Sequence, residues 1–206
     1  MAERIALIDY GAGNLHSVHN ALRAAGASGV VVTADPDTVL AADRVVLPGV
    51  GAFAACAAAL NAIPGMRAAL DEAVLKRARP FLGICVGMQL MATRGEEFGG
   101  EEGLGWIPGT VRLLRPADPA LKVPHMGWND VTPGAPHPLI EQGEAYYLHS
   151  FVFDASDPAH VVALSDHGGA VTAAVARDAM IGVQFHPEKS QRYGLDFLAR
   201  FLEWRP

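Results

Sequence analysis

The chain has 206 residues, of which 50% are hydrophobic and only 18% charged, with a formal net charge of −6. This composition excludes an intrinsically disordered chain, and the acidic balance disfavours a nucleic-acid partner. No stretch approaches the roughly 18 uninterrupted apolar residues of a membrane span, so no membrane association is expected. The opening segment, MAERI, is not typical of a secretion signal, and the two cysteines form no CxxC pair. We therefore expect one cytoplasmic domain over residues 1–206, with reduced thiols.

The first half of the sequence alternates short apolar runs with helical patterns. The predicted strands are 4–9, 30–33, 45–47 and 81–84, and the β-branched runs among them are expected to be buried. The predicted helices are 17–25, 51–64, 66–79 and one that begins at Val86. In the third of these helices, Leu70, Val74 and Leu75 are expected to face inward. Strands separated by helices of this length predict a parallel sheet with right-handed crossovers.

After Gly99, strand-like runs follow one another without long helices between them. They cover 110–114, 145–153, 160–164, 171–175 and 180–185, and a final helix is predicted over 191–204. Successive strands of this kind favour antiparallel pairing. The predicted fold class is therefore α/β, with a central, mostly parallel sheet flanked by helices and with additional antiparallel strands.

Cys85 is the first candidate for chemistry. It lies between Gly83 and Gly87, where a predicted buried strand meets a predicted helix, and this pattern is typical of a nucleophile elbow. The positive end of the following helix favours the thiolate, and the Val86 amide points to where an oxyanion would form. The alternative is a small buried cysteine in the core. Cys56, in an alanine-rich helix without a neighbouring base, is interpreted as such a core residue.

A histidine and a glutamate directly follow the predicted strand 180–185. In an extended segment residues two apart share a face, so Glu188 can hold the His186 imidazole while the other ring nitrogen faces the Cys85 thiol. A nucleophilic thiol needs a base that takes its proton and a carboxylate that fixes the tautomer of the base. Alone, the tripeptide could be a turn with a solvated acid. Together with the elbow it predicts a Cys-His-Glu triad.

The segment LPGVGAF at 47–53 places glycines after a predicted parallel strand. Such glycines can form a phosphate loop, an oxyanion hole or a simple turn. The segment has neither GxGxxG spacing nor the lysine of a P-loop, which argues against a nucleotide. With an elbow on a neighbouring strand, the Val50 and Gly51 amides are better interpreted as oxyanion donors. The eight histidines do not cluster at metal-ligand spacing, so neither a metal nor a cofactor is expected.

The paired motifs GICVGMQ at 83–89 and HPE at 186–188 resemble those of the class I, or triad, glutamine amidotransferases. Within that family, further motifs are similar to those of the glutaminase subunits of imidazole glycerol phosphate synthases. These motifs are DYGAGN at 9–14, LPGVGAF at 47–53, PHMGWN at 124–129, YYLHSF at 146–151 and HPEKS at 186–190. The resemblance spans the whole chain and implies a flavodoxin-like α/β core.

The resemblance also implies an activity. Cys85 would attack the side-chain amide of L-glutamine, His186 would protonate the departing ammonia, and Glu188 would orient the imidazole ring. Substrate contacts are implied for Gly49, Gly51, Gln89, His149, Ser150 and Phe151. The ammonia would pass to a (β/α)₈ cyclase subunit, which would make imidazole glycerol phosphate and AICAR in histidine biosynthesis.

Contacts to this cyclase subunit are expected for Asn14, His125, Trp128, Asn129, Tyr146 and Lys189. Trp128 is expected in an exposed loop, where a tryptophan can anchor an interface. Tyr146 and Tyr147 are neighbours on a predicted strand and should face opposite ways, one into the core and one toward the interface. A packing, turn or solvated role is the alternative for each of these residues. Trp106 and Trp204 are assigned to packing.

Two other functions stay open at this point. A free-standing thiol hydrolase, such as a γ-glutamyl hydrolase on the same kind of fold, would process glutamyl substrates without a partner. A catalytically silent regulatory subunit would have no need of Cys85, His186 and Glu188, and their presence argues against it.

Overall fold

The computed structural model describes residues 3–206. This part of the chain has the strands β1 (Arg4–Ile8), β2 (Gly29–Thr33), β3 (Arg44–Gly49), β4 (Phe81–Cys85), β5 (Arg94–Gly95), β6 (Glu101–Glu102), β7 (Gly109–Leu113), β8 (His125–Pro133), β9 (Gly143–His149), β10 (Phe151–Ala155), β11 (Val161–Asp166), β12 (Ala170–Arg177) and β13 (Met180–Val183). Its helices are α1 (Leu15–Ala24), α2 (Pro36–Leu40), α3 (Phe53–Asn61), α4 (Met66–Leu70), α5 (Val86–Gln89) and α6 (Gln191–Glu203). A π-helical turn, Asp71–Lys76, extends α4.

Nine strands form one sheet in the order β2-β1-β3-β4-β13-β12-β11-β8-β9. The pairings from β2 to β13 are parallel, and those from β13 to β9 are antiparallel. Parallel neighbours need a crossover connection, which the helices of the first half supply, whereas antiparallel neighbours can follow one another directly. The structure confirms the predicted α/β fold, with a parallel core and added antiparallel strands.

The core lies between the parallel strands and the helices that cover them. β3 and β4 are buried along their whole length, because both faces of a parallel sheet are covered. Trp106 is buried and donates from Nε1 to Asp71 at 2.8 Å, and Trp204 packs against the main core cluster. The packing roles predicted for these two tryptophans are confirmed.

One charged side chain, Arg44 at the start of β3, is fully buried. Its guanidinium donates to the carbonyl oxygens of Phe201 and Trp204, at 2.8 Å each, and lies 3.0 Å from a carboxylate oxygen of Glu3. A buried guanidinium is tolerated only when its donors are paired. Arg44 therefore ties the end of α6 to the centre of the sheet.

The antiparallel half of the sheet curls so that its last strand, β9, returns to the segment that follows β13. Along one edge β9 pairs with β8, and along the other it bonds the segment that follows β13. The Tyr146 carbonyl accepts from the His186 amide at 2.8 Å, and the Tyr146 amide donates to Ser190 Oγ at 2.9 Å. Strand β9, the last in the sheet order, therefore lies beside the residues that follow β13.

The predicted single strand over 145–153 is wrong. β9 ends at His149, and β10 begins at Phe151 in a second sheet of four strands, in the order β10-β7-β5-β6. Ser150, at the break, accepts a hydrogen bond from the Leu114 amide at 2.8 Å. The chain therefore passes from one sheet to the other at a single residue.

Two burial predictions in the first half are also wrong. β2 is not buried but forms the edge of the sheet, where Val31 and Val32 are 39% and 44% exposed. Leu75 is 48% exposed because the last turn of its helix is π-helical, and the wider turn rotates it away from the buried face.

In residues 3–206 no single helix is long and apolar enough to cross a membrane. The pair of helices 53–61 and 66–76, bent by 93° at the break between them, meets the length and composition criteria only when the two are taken together.

Gly87, in α5, packs against the backbone of β3. A methyl group on Gly87 would lie 1.9 Å from the Leu47 carbonyl oxygen, a contact that only a backbone shift could relieve. We expect Gly87→Ala to lower the free energy of unfolding by roughly 3 kcal/mol, measured by urea titration. Gly143→Ala is the control, because the three atoms nearest its methyl would belong to the Tyr193 side chain and not to the backbone. Equal losses in the two variants would contradict this packing argument.

Candidate active site

Cys85 lies in the sharp turn between β4 and α5. Its backbone has φ 54° and ψ −109°, a conformation that is strained for a residue with a side chain. A Cβ on Gly83 would lie 2.6 Å from the Gly87 carbonyl oxygen, so the turn closes too tightly for any larger residue there. The thiol is 3% exposed. The sharp strand-to-helix turn predicted from the spacing of the two glycines is present.

The imidazole of His186 and the carboxylate of Glu188 form a buried pair. His186 Nδ1 lies 2.8 Å from Glu188 Oε1, and both side chains are almost wholly buried. Burial alone would lower the pKa of His186, but hydrogen bonds to Cys85 and Glu188, together with their charges, outweigh burial and raise the pKa to about 9. With Nδ1 directed at the carboxylate, Nε2 is the nitrogen left for Cys85. The predicted pairing of residues 186 and 188 is therefore seen in the structure.

Two buried glutamines connect the Cys85 thiol to the Phe151 carbonyl through hydrogen bonds. Gln184 donates from Nε2 to Cys85 Sγ at 3.6 Å, and its Oε1 accepts from Gln89 Nε2 at 3.1 Å. Gln89 Nε2 also donates to the Phe151 carbonyl at 3.1 Å. Sequence reasoning missed Gln184; the available signal was a single polar residue inside the apolar run that precedes His186.

A cleft of about 140 Å³ opens beside Cys85. Its lining comprises Val50, Gly51, Cys85, Val86, Gln89, Glu97, Leu148, His149, Ser150, Phe151, His186 and Lys189. All of these except Glu97 and Leu148 are site residues predicted from the sequence. Glu97 Oε2 accepts from the Phe53 amide at 2.7 Å, at the first turn of α3. Its place in the cleft depends on tertiary packing, and no motif marks it.

The segment 49–51 runs along one side of the cleft. Gly49 is the register partner of Cys85 and lies behind the lining, where a Cβ would come 2.7 Å from the Gly87 amide nitrogen. The Val50 carbonyl accepts from the thiol of Cys56 at 3.4 Å. Cys56 is buried in the core, as predicted, and burial raises the pKa of its thiol.

The inner face of β8 and β9 carries hydrogen-bonded histidines. His125 and His149 are 3% and 6% exposed, and His125 Nδ1 lies 2.9 Å from His149 Nε2. Burial lowers the pKa of His125 to about 4 and that of His149 to about 3, so both rings are neutral. His125 was expected at a partner interface, but the structure places it in the interior, where its other nitrogen bonds Asn129. Within residues 3–206, no group of three or more His, Cys, Asp or Glu is arranged to hold a metal ion.

The prediction that Trp128 lies in a loop is wrong, because residues 125–133 form strand β8. Trp128 is 47% exposed on the outer face of this strand, opposite Tyr146, with 6.1 Å between the ring centroids. Lys189 Nζ lies 5.8 Å from the Tyr146 ring centroid. Tyr147 is buried, so the two tyrosines face opposite ways as predicted.

Asn14, the remaining residue expected at the interface, lies in the loop that follows β1. Its side-chain oxygen accepts from the Ser17 amide at 3.4 Å and so caps the N-terminus of α1. The structure therefore gives this residue a local role, and it is only half-buried.

The pKa of His186 predicts a pH dependence of stability. An unfolded histidine has a pKa of about 6.5, so between that value and the folded pKa of about 9 only the folded state holds this proton, and stability falls as pH rises. Relative to a His186→Gln variant, we expect the unmodified chain to lose roughly 3 kcal/mol of unfolding free energy across this window. Urea titrations at several pH values measure it. Below about pH 6.5 the difference should be constant, and parallel curves above that pH would contradict the assignment.

Comparisons with known proteins agree with this geometry. The family described as "Glutamine amidotransferase class-I" matches residues 6–203. The imidazole glycerol phosphate synthase subunit HisH of Zymomonas mobilis is 63% identical over 205 residues, covering 98% of this chain and 96% of that protein. The HisH subunit of Rhodospirillum rubrum is 55% identical over 213 residues, covering 98% of this chain and all of that protein (100%).

Solved structures share the fold at low identity. A structure described as a glutamine amidotransferase has a TM-score of 0.74 at 15% identity, with 96% of this chain and 97% of that chain covered. PurLQS from Thermotoga maritima has a TM-score of 0.73 at 18% identity, with 98% and 99% covered. The sequence and family matches show that this chain belongs to the class-I glutamine amidotransferase family, among the HisH subunits of imidazole glycerol phosphate synthase.

Proposed function

We propose that Cys85, His186 and Glu188 are the catalytic residues of this glutamine amidotransferase, and that the chain acts in a heterodimer with a cyclase subunit. The observation that carries the proposal is a cysteine with a strained backbone and a histidine that both line the cleft, with a buried carboxylate 2.8 Å from the histidine Nδ1. A single domain over 1–206 and a cytoplasmic location are part of the same proposal. The family match over residues 6–203 supports the single domain.

The reaction begins at the thiol. The Cys85 thiolate attacks the side-chain amide carbon of L-glutamine, and the amide oxygen takes up negative charge. His186 then gives a proton to the leaving nitrogen, the C–N bond breaks, and ammonia departs from a γ-glutamyl thioester. A water molecule next loses a proton to His186 and attacks the thioester carbon. The C–S bond breaks, glutamate leaves, and the thiolate–imidazolium pair is restored, while Glu188 keeps the ring oriented throughout.

Main-chain groups around the cleft stabilise the charge on the amide oxygen in this proposal. The donors are the amides of Val50, Gly51 and Val86, three residues that line the cleft beside the thiol. One such donor is typically worth about 10²–10³ in rate. Gly49 allows β3 to approach the elbow closely, and the wall formed by Gln89 and residues 149–151 holds the rest of the substrate.

An exposed apolar patch supports docking of the cyclase subunit. It consists of two cross-strand pairs on the outer face of β8 and β9, Met126 with Leu148 and Trp128 with Tyr146. Met126 is 65% exposed and Leu148 37%, and an apolar surface of this kind is typical of an interaction site. Leu148 also lines the cleft, so the patch adjoins the site where ammonia forms. The patch favours a synthase subunit over a free-standing thiol hydrolase, which has no use for it.

Replacement of the nucleophile tests the proposed triad. We expect Cys85→Ala to abolish glutamine-dependent synthesis by the complex while ammonia-dependent synthesis by the cyclase subunit stays intact. The measurement is product formation with either nitrogen source. Cys56→Ala is the matched control and should retain glutamine-dependent synthesis, because that thiol lies in the core, outside the cleft lining. Glutamine hydrolysis that survives in Cys85→Ala would disprove the assignment of the nucleophile.

Removal of the exposed indole tests the patch. We expect Trp128→Ala to weaken binding of the cyclase subunit about tenfold or more, since buried tryptophans are frequent hot spots of interfaces. Titration calorimetry of the two subunits measures it. Val32→Ala removes an exposed apolar side chain from the opposite edge of the sheet and should leave affinity unchanged. Unchanged affinity in Trp128→Ala would place the interface elsewhere.

A further inference from the structure

Three polar side chains form a line of hydrogen bonds from β8 to the cleft. Asn129 Nδ2 lies 3.0 Å from His125 Nε2, and His125 Nδ1 lies 2.9 Å from His149 Nε2. His149 Nδ1 then lies 3.0 Å from the Phe151 carbonyl oxygen. The two histidines are direct cross-strand partners in the register of β8 and β9. The proposed reaction uses neither Asn129 nor His125, although one is partly and the other wholly buried.

Main-chain groups fix the direction of the line at its outer end. Asn129 Oδ1 accepts from the Asp130 amide at 2.8 Å, and Asn129 Nδ2 donates to the Asp166 carbonyl at 2.7 Å. These two contacts settle which end of the side-chain amide is oxygen and which is nitrogen. Asn129 therefore presents an N–H to His125, whose Nε2 must be the acceptor.

The inner end is fixed in the same way. The Phe151 carbonyl can only accept, so His149 donates from Nδ1. A neutral His149 then has a lone pair on Nε2, and this nitrogen accepts the proton that His125 carries on Nδ1. Both rings are consequently in the Nδ1–H tautomer, and every ring nitrogen has a partner. The implied contact of His149 with glutamine therefore cannot be a hydrogen bond from its ring.

The line ends where the chain changes sheets. His149 and Phe151 flank Ser150, and all three residues line the cleft. The hydrogen bond from His149 to the Phe151 carbonyl spans the break between the sheets, and the same carbonyl accepts a second hydrogen bond from Gln89. The conformation of this wall thus depends on a single tautomer of His149.

We propose that Asn129 and His125 are positioning residues, which select the tautomer of His149 and so hold the 149–151 wall in the shape that binds glutamine. The proposal rests on the proposed function, since it takes this cleft as the glutamine site. Neither residue touches the substrate, and both act through His149 alone.

The tautomers can be read directly. Long-range ¹H–¹⁵N correlation spectra of the ¹⁵N-histidine-labelled chain at neutral pH should show His125 and His149 as Nδ1–H tautomers. An Nε2–H tautomer for either ring would overturn the proposal. In Asn129→Leu the donor to His125 is lost, and we expect the His125 signals to change to those of a mixture of tautomers. Unchanged signals would show that Asn129 does not select the tautomer of His125.

Two histidine variants separate this role from simple packing. The His125 ring stacks on Tyr147 and on His167, with centroids 4.7 Å and 4.2 Å apart. The His167 ring, however, bonds the Lys122 carbonyl and lies outside the line. We expect His125→Phe to raise the glutamine KM of the complex about tenfold, with kcat changed much less and ammonia-dependent synthesis unchanged. His167→Phe should leave the KM near that of the unmodified complex.

The outcomes are distinguishable from failure of the proposed function. Equal KM changes in His125→Phe and His167→Phe would reduce His125 to a packing residue and overturn the proposal. If the unmodified complex hydrolyses no glutamine, the proposed function itself fails, while the spectra still decide whether the line of hydrogen bonds exists.

Discussion

Two main-chain hydrogen bonds of Tyr146 hold the last strand of the large sheet against the segment that carries His186. Tyr146, on β9, and His186, in the segment that follows β13, are far apart in the chain, and β9 and β13 are not neighbours in the sheet, so only the curl of the antiparallel half brings them together. The same closure places the Leu148 carbonyl 3.9 Å from Cys85 Sγ. A free strand edge is usually a liability because it can pair with another chain. Here the segment that carries His186 and Ser190 occupies part of that edge.

The site therefore forms where three separate parts of the fold meet. The turn at Cys85 belongs to the parallel core, His186 and Glu188 follow β13, and Ser150 lies at the passage between two sheets. Polar groups buried at such a meeting point are costly unless each has a partner. Gln184 and Gln89 meet this requirement by bonding each other, the thiol and the wall, so the network links all three pieces.

The parts of the site that could be predicted from the sequence are local. The elbow requires two glycines around Cys85 within five residues, and the pairing of His186 with Glu188 requires only an extended spacing of two. The family resemblance added the residues of the wall. Buried parallel strands were equally clear, because short β-branched runs separated by helices have few other interpretations.

The parts that could not be predicted depend on distant partners. Residues 145–153 have one continuous strand pattern, and the chain breaks at Ser150 only because β8 and β7 pair with its two halves in different sheets. The proline and glycine of PHMGWN favour a loop, and the polar His125 on the inner face of β8 conceals the alternation of a strand. The exposure of Val31 and Val32 follows from the edge position of β2, which the local sequence does not encode.

The buried thiol of Cys56 can report local opening of the structure beside the cleft. Cys56 lies beneath the segment 49–51, and its thiol donates a hydrogen bond to the Val50 carbonyl. Burial raises the pKa of this thiol. A reagent reaches this sulfur only when α3 or the Val50 segment swings away, so the rate at which Cys56 is alkylated reports the free energy of that local opening. The chain therefore carries, besides Cys85, a second, buried cysteine whose alkylation rate measures how firmly α3 and the Val50 segment are held in place.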